Sequence, residues 1–296
     1  MNARSHPTIA LPRRPVPPSL RCAVIVGGMV NQLGWGLLAF GGFLAGVFGR
    51  NADLSAFPPD GSRQRATATI TAVEKTGFSD RPGRRSRKFV YAHRYSFRDT
   101  GGAEHTGASY GWHTNGAADT QVGRNVQVEY PAGQPQQSRI VGMRRRPLGP
   151  AAALTWLIPA AGVLVVLRGL RRGLRDVHLL THGQPATGVL KSKRATATKI
   201  NDRQVYELTF EFAGDDGTKH TAKARTHQAE LLTDDAEELL VYDPMQPDRA
   251  VMIDALPGQP VFDEAGLPHA RRPARGWLSL VLPAIAIIAL AAAVAK

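Results

Sequence analysis

Residues 107–111 read Gly-Ala-Ser-Tyr-Gly, the pattern G-x-S-x-G. On a strand–turn–helix junction that pattern lifts a serine hydroxyl toward an acyl carbon, with a His and an acid to manage its proton. Ser109 is thus the one candidate nucleophile, and His105 and His113 are its nearest histidines. The context argues otherwise. Ser109 ends an expected strand, and Thr114-Asn115-Gly116 behind it is turn material rather than a helix start. The histidines offer a second chemistry. His178 and His182 stand four apart and would share one helix face, as paired metal ligands do. Leu179, however, stands where H-E-x-x-H carries its Glu. His105 and His220 recur without a surrounding Cys/His/Asp cluster. Neither a metal nor a cofactor is expected.

A third set is basic. Arg81, Arg84, Arg85, Arg87 and Lys88 form a loop able to contact a ligand phosphate or a lipid headgroup. Few aromatics interleave with the run, so nucleic acid is not an expected partner. The partners expected instead are the lipid bilayer and another membrane or envelope protein or a second copy of the chain.

Three apolar stretches must position these residues. Residues 22–49 carry no charge, and 149–167 and 277–295 are likewise uncharged. A helix rising 1.5 Å per residue needs about 20 apolar residues to cross a bilayer, and each stretch qualifies. Asn31 and Gln32 are the strongly polar side chains well inside a span, where they could pair helices. The single cysteine, Cys22, excludes an internal disulfide. The formal charge is +13, and much of it flanks the spans, as in Arg13, Arg14, Arg21, Arg144–Arg146 and Arg168–Arg175. Such flanks usually set orientation in a membrane, which weakens the case for nucleic acid as their cause. The division expected is a disordered basic tail over 1–21, membrane helices over 22–49, 149–167 and 277–295, a juxtamembrane helix over 168–183, and a linker over 257–276. Two polar segments, 65–146 and 184–256, fill the gaps.

Those two segments align over 20 residues without a gap. Val90, Tyr91, Phe97, Gly102, His105 and Thr106 match Val205, Tyr206, Phe212, Gly217, His220 and Thr221, which reads as one unit present twice. Both show period-two alternation, with Tyr91, His93, Tyr95 and Phe97 on one expected face. Asp99-Thr100-Gly101-Gly102 supplies hairpin turn chemistry. About five strands each predict a small antiparallel barrel or sandwich. Leucines at helical spacing in 226–242 add a short helix to the second copy. The first segment is basic, with 14 Lys/Arg against six acids, and the second acidic, with nine against 13.

The ending Tyr242-Asp243-Pro244-x-x-Pro247, after a Val-Tyr strand and a Gly-hinged hairpin, resembles domain of unknown function 3592. The resemblance covers both polar segments. It implies a bacterial membrane protein with a small β-domain between membrane helices, and it brings no catalytic residue. The residues carrying the module core are Tyr91, Phe97 and Tyr130 in the first copy and Tyr206, Phe212, Tyr242, Pro244 and Pro247 in the second. The first copy departs from the motif with Pro131-Ala132-Gly133 after Tyr130.

The fold class expected is therefore three transmembrane helices alternating with two small all-β modules. The function expected is an integral protein of the bacterial inner membrane, multi-pass with a cytoplasmic N-terminus, presenting the modules for binding or assembly without catalysis. The alternatives are a membrane-bound serine hydrolase using Ser109 and a transporter accessory subunit.

Overall fold

In the computed structural model the first apolar stretch is two helices, α1 (Pro18–Val26) and α2 (Met29–Val47), rather than one over 22–49. The break lies at Gly27-Gly28. A Cβ on Gly27 would stand 2.5 Å from the Ala23 carbonyl oxygen, so only glycine lets the chain turn that closely off the end of α1. Asn31 and Gln32 complete the turn. The Asn31 amide donates to the Ile25 carbonyl, and that of Gln32 donates to Val26 (2.8 Å) and Ser279 (2.9 Å). The two polar residues of the span therefore satisfy orphan carbonyls at the end of α1. The structure describes residues 9–10, 12–55, 63–80, 88–112, 121–200, 202–226, 229–232 and 237–295.

Three helical segments are long and apolar enough to cross a membrane: Met29–Asn51, Pro150–His182 and Pro273–Val294. The second contains α3 (Leu157–His182), which runs unbroken through the expected juxtamembrane helix over 168–183. The third contains α4 (Pro273–Leu278) and α5 (Val281–Val294). By contacts the chain divides into two units, Met1–Phe40 with Ala160–Ala289, and Gly41–Pro159 with Leu290–Lys296.

In the second-named unit the sheet comprises β1 (Arg63–Asp80), β2 (Lys88–Arg98), β3 (Glu104–Trp112), β4 (Asn125–Pro131) and β5 (Arg139–Ile140), in the order β3-β2-β1-β4-β5. All pairs are antiparallel. The sheet curls until its edges meet. The Tyr110 amide on β3 donates to the Arg144 carbonyl (2.7 Å), and the Arg144 amide donates back (3.0 Å). Inside lie Ala68, Tyr95, Phe97, Val128, Tyr130 and Ile140. At the end of α2, Gly41 packs against Pro159 and Gly49 against Trp156.

In the other unit β6 (Gln184–Ile200), β7 (Arg203–Ala213), β8 (Lys219–Thr226), β9 (Glu237–Asp243) and β10 (Gln246–Met252) follow the order β8-β7-β6-β9-β10. That is the same connectivity, and the edge strands β8 and β10 touch. Its core is Leu208, Phe210, Phe212, Leu240 and Tyr242 with their neighbours. Register shifts also correspond. β1 slips between Ile70 and Ala72 and between Lys75 and Ser79; β6 slips between Leu190 and Ser192 and between Ala195 and Lys199. Such bulges sharpen the twist that lets a sheet close.

The slips correct the expected core. Phe97 packs on Tyr130 at 5.4 Å between ring centroids, and Phe212 on Tyr242 at 5.1 Å. Tyr91 and Tyr206, by contrast, are only half-buried, while the neighbouring Val90 and Val205 are buried. Between the two slips the buried face of β2 changes, so that Ala92 and Val90 are buried in place of Tyr91, while Tyr206 still packs against the edge of its core. Pro244 and Pro247 are not core either. Pro244 is exposed in the β9–β10 turn, where the Asp243 carboxylate accepts the Met245 amide (2.9 Å) and the fixed φ of proline suits the corner. The helix expected within 226–242 is a short 3₁₀ turn, Ala229–Leu232, followed by β9.

Two further expectations are corrected. The linker over 257–276 holds a hairpin, β11 (Pro260–Phe262) with β12 (Pro268–Ala270), whose Ala270 joins a core with Val16, Leu20, Leu179 and Val241. The disordered tail over 1–21 fails from Arg14 onward. Arg14 is 2% exposed. Its guanidinium donates to the carbonyls of Leu180 (2.8 Å), Gly183 and Ala10 (2.6 Å), capping the C-terminal end of α3. A guanidinium matches orphan helix carbonyls that an apolar side chain would leave unpaired. Replacing Arg14 with Met should therefore cost about 2–4 kcal/mol. Thermal unfolding of the detergent-solubilised variant reads this; an unchanged melting temperature would count against the cap.

Candidate functional site

Ser109 sits within β3, 0% exposed, and its hydroxyl oxygen accepts the Ile140 amide (2.8 Å) across the closed sheet. Its cross-strand partner is His93, equally buried. A histidine opposite the serine was thus present and unrecognised in the sequence, because cross-strand register is not visible from spacing. The flanking glycines have packing reasons. A Cβ on Gly107 would stand 2.6 Å from the Tyr95 ring, and one on Gly111 3.4 Å from Met143. The G-x-S-x-G letters thus spell a strand that admits a tyrosine ring and hands one hydroxyl to an edge amide. His113 and Thr114-Asn115-Gly116 lie outside the described residues.

His105 is held locally. Its Nε2 lies 2.8 Å from Asp99 Oδ2, while Asp99 Oδ1 accepts the Gly101 and Ala103 amides (2.8 and 2.9 Å). The same arrangement recurs at His269 and Asp263 (2.9 Å). The His105 ring packs on Phe97 and that of His220 on Phe212, at 5.6 and 5.7 Å. His178 and His182 stack on each other at 4.6 Å. Among the described residues no group of three or more His, Cys, Asp or Glu could hold a metal.

Of the basic loop, Arg81, Arg84, Arg85 and Arg87 lie outside the described residues. Lys88 is described, with its ammonium 5.9 Å from the Trp112 ring centroid. The Arg144 guanidinium stands 5.5 Å from the same ring, and the Lys75 ammonium lies 3.6 Å from that of Phe89.

A cavity of about 570 Å³ opens beside the first sheet, lined by Arg50, Arg63, Arg139, Arg145 and Arg146. Two acids organise it. Glu129 on β4 pairs with Arg63 (2.8 Å) and Arg139 (2.7 Å). Burial pushes the Glu129 carboxyl up, but hydrogen bonds and charge from Arg139 and Arg63 outweigh this and hold it below the usual carboxylate range. Asp53 accepts the amides of Ser55 (2.9 Å) and Arg145 (3.0 Å). Arg139 also reaches Ser55 Oγ (2.9 Å), and Arg145 reaches the Gln137 side chain (3.1 Å). Burial pulls the Arg145 pKa down, with repulsion from Arg146 and Arg139 in the same direction and Asp53 opposing. These residues are scattered over four segments, so no motif announced them.

No family model matches the chain, and no curated protein matches it. Among solved structures it is similar to a chain of a replication protein A heterotrimer bound to single-stranded DNA. Identity is 12%, with 64% of this chain and 45% of that chain covered, at a TM-score of 0.15. The match thus spans less than half the length of that chain, and at this score it carries no argument about what the present chain binds. The expected partners, which set nucleic acid aside in favour of the bilayer, an envelope protein or a second copy, are corrected to this extent only: the exclusion of nucleic acid does not stand. That exclusion rested on few aromatics interleaving with the basic run and on the membrane as the cause of the flanking charge. The fold places the partly exposed rings of Phe89 and Trp112 beside Lys75 and Lys88, so the premise that few aromatics accompany the cations fails.

Two outcomes follow. Gly107→Ala should destabilise by about 1–3 kcal/mol, because the Tyr95 ring must move; Ser109→Ala should cost about the same through the stranded Ile140 amide. Chemical denaturation measures both. Second, the folded pKa of Glu129 lies below its unfolded value, so its contribution is complete above about pH 4.3 and disappears as pH falls through the folded pKa. Melting temperature measured from pH 7 down to pH 3 should show a shallower acid loss in Glu129→Gln than in the unaltered chain.

Proposed function

We propose that the chain is a multi-pass protein of the bacterial inner membrane that presents two copies of one β-module for binding or assembly, without catalysing a reaction. One observation carries the membrane reading. The three long helices leave large apolar side chains uncovered, among them Leu33 (61% exposed), Leu164 (69%) and Ile288 (68%). Faces of that kind along helices of spanning length find their low free energy in hydrocarbon rather than water. Small residues at the contacts fit the same reading. Gly34 meets Val166 and Gly162 meets Leu38 with no room for a Cβ, which is how membrane helices approach closely.

The two-copy reading is supported by identical strand order, corresponding register slips and the paired Phe97–Tyr130 and Phe212–Tyr242 contacts. The resemblance to domain of unknown function 3592 agrees with it. The non-catalytic reading is supported by the burial of Ser109, whose hydroxyl is committed to the Ile140 amide.

The chain should remain in the membrane pellet through an alkaline carbonate wash and require detergent for release. With the N-terminus cytoplasmic, alkaline phosphatase fused within residues 60–140 should be active. Release by carbonate would overturn the membrane reading; a phosphatase fusion that stays inactive, with a cytoplasmic reporter active at the same site, would overturn the orientation.

A further inference from the structure

The arginine-lined cavity beside the first sheet holds more positive charge than its own acids answer. Five guanidinium groups face two carboxylates. Glu129 is taken by Arg63 and Arg139, and Asp53 is taken by backbone amides. Among the described residues no carboxylate lies within salt-bridge range of Arg50, Arg145 or Arg146. Among the described lining residues a net excess of three positive charges therefore surrounds a space of about 570 Å³, within the range of small-ligand sites.

Arginines at the end of a helix ordinarily face headgroups or solvent. This set differs in origin. Arg50 follows α2, but Arg63 begins β1 and Arg139 lies on β5. The half-buried Glu129 clamps the last two at fixed positions, and Gln137 fixes Arg145. Burial first, and then repulsion from Arg146 and Arg139, pull the Arg145 pKa down, so its positive charge is held at a cost. An anion entering the cavity would relieve that repulsion without rearranging the clamp, and its oxygens would meet planar forks of N–H donors. An excess of three charges matches a multiply charged oxyanion better than a monocarboxylate. Ser55, Gln134 and Gln137 add neutral polar groups on the same wall.

We infer that this cavity is a binding site for a phosphate-bearing ligand, held by Arg50, Arg145 and Arg146 and oriented by the Glu129-clamped pair Arg63 and Arg139. The inference rests on the reading of the β-units as binding modules, and it is silent on which side of a membrane the unit faces. The phosphate can belong to a soluble ester or diphosphate or to a lipid headgroup; both offer the same oxygens to the same donors.

The test uses the full chain in an uncharged detergent, titrated calorimetrically with inorganic pyrophosphate. In parallel, native mass spectrometry follows retention of phosphatidic acid after release from phosphatidylcholine nanodiscs with and without that lipid. Arg50→Gln combined with Arg146→Gln removes two exposed charges that make no core contact, so its melting temperature should be unchanged. Saturable pyrophosphate binding, weakened about tenfold or more in the double variant, supports a soluble phosphate ligand. Retention of phosphatidic acid by the unaltered chain and its loss in the variant supports a headgroup. Binding in neither arm, or binding that the double variant leaves intact, overturns the site. Either failure leaves the carbonate-wash result untouched, so the membrane reading stands or falls separately.

Discussion

A five-stranded sheet has an inner face and two edges that must be kept from water. Both sheets meet that constraint by curling. Once curled, the inner face encloses its own aromatic pair, and the edges meet. Phe97 on Tyr130 and Phe212 on Tyr242 are the consequence. Much else in each unit follows from closure. The bulges in β1 and β6 supply the twist. Gly107 exists because the Tyr95 ring needs its space. Ser109 is polar because one edge amide, that of Ile140, arrives inside the barrel and requires an acceptor.

The long helices answer a complementary problem, in which the side chains are apolar and the backbone ends are the polar groups left to satisfy. Three of the polar side chains near them are spent on those ends. Asn31 and Gln32 serve the last carbonyls of α1, and Arg14 serves those of α3. A polar residue inside an apolar stretch is easily read as a gate or a helix-pairing contact. Here the first question to ask of it is which carbonyl lacks a donor.

The strands, the three apolar helices and the turn glycines were legible because each leaves a local period or a residue type that few other conformations tolerate. Gly102 and Gly217, at φ +85° and +75°, sit where both hairpins need the left-handed region. What escaped was everything set by register. The alternation predicts Tyr91 and Tyr206 as buried rings, yet beside the slips both are only half-buried, and of the two Tyr206 packs against its sheet's core. His93 could not be matched to Ser109 without knowing which residues pair across β2 and β3. The cavity was invisible for the same reason, since Arg50, Arg63, Arg139 and Arg145 come from segments with no common motif. The Pro-rich, basic composition around Arg14 resembles a solvated tail, and only the three carbonyls it meets show otherwise.

The arginines at 144–146 show how such positions mislead when charge is merely counted. Next to an apolar stretch they weigh on membrane orientation as if each were a free cation, and on that count they oppose a cytoplasmic N-terminus. Each of the three also has a place in the fold. Arg144 closes the first sheet through its backbone to Tyr110, and its guanidinium faces Trp112. Arg145 ties Asp53 through its amide and Gln137 through its side chain. Arg146 lines the cavity that Glu129 organises. A residue retained for sheet closure or for a charged cavity stays wherever the fold requires it, whichever side that is. A count of flanking cations therefore weighs these three less than others, because the fold gives each a second reason to stand where it does.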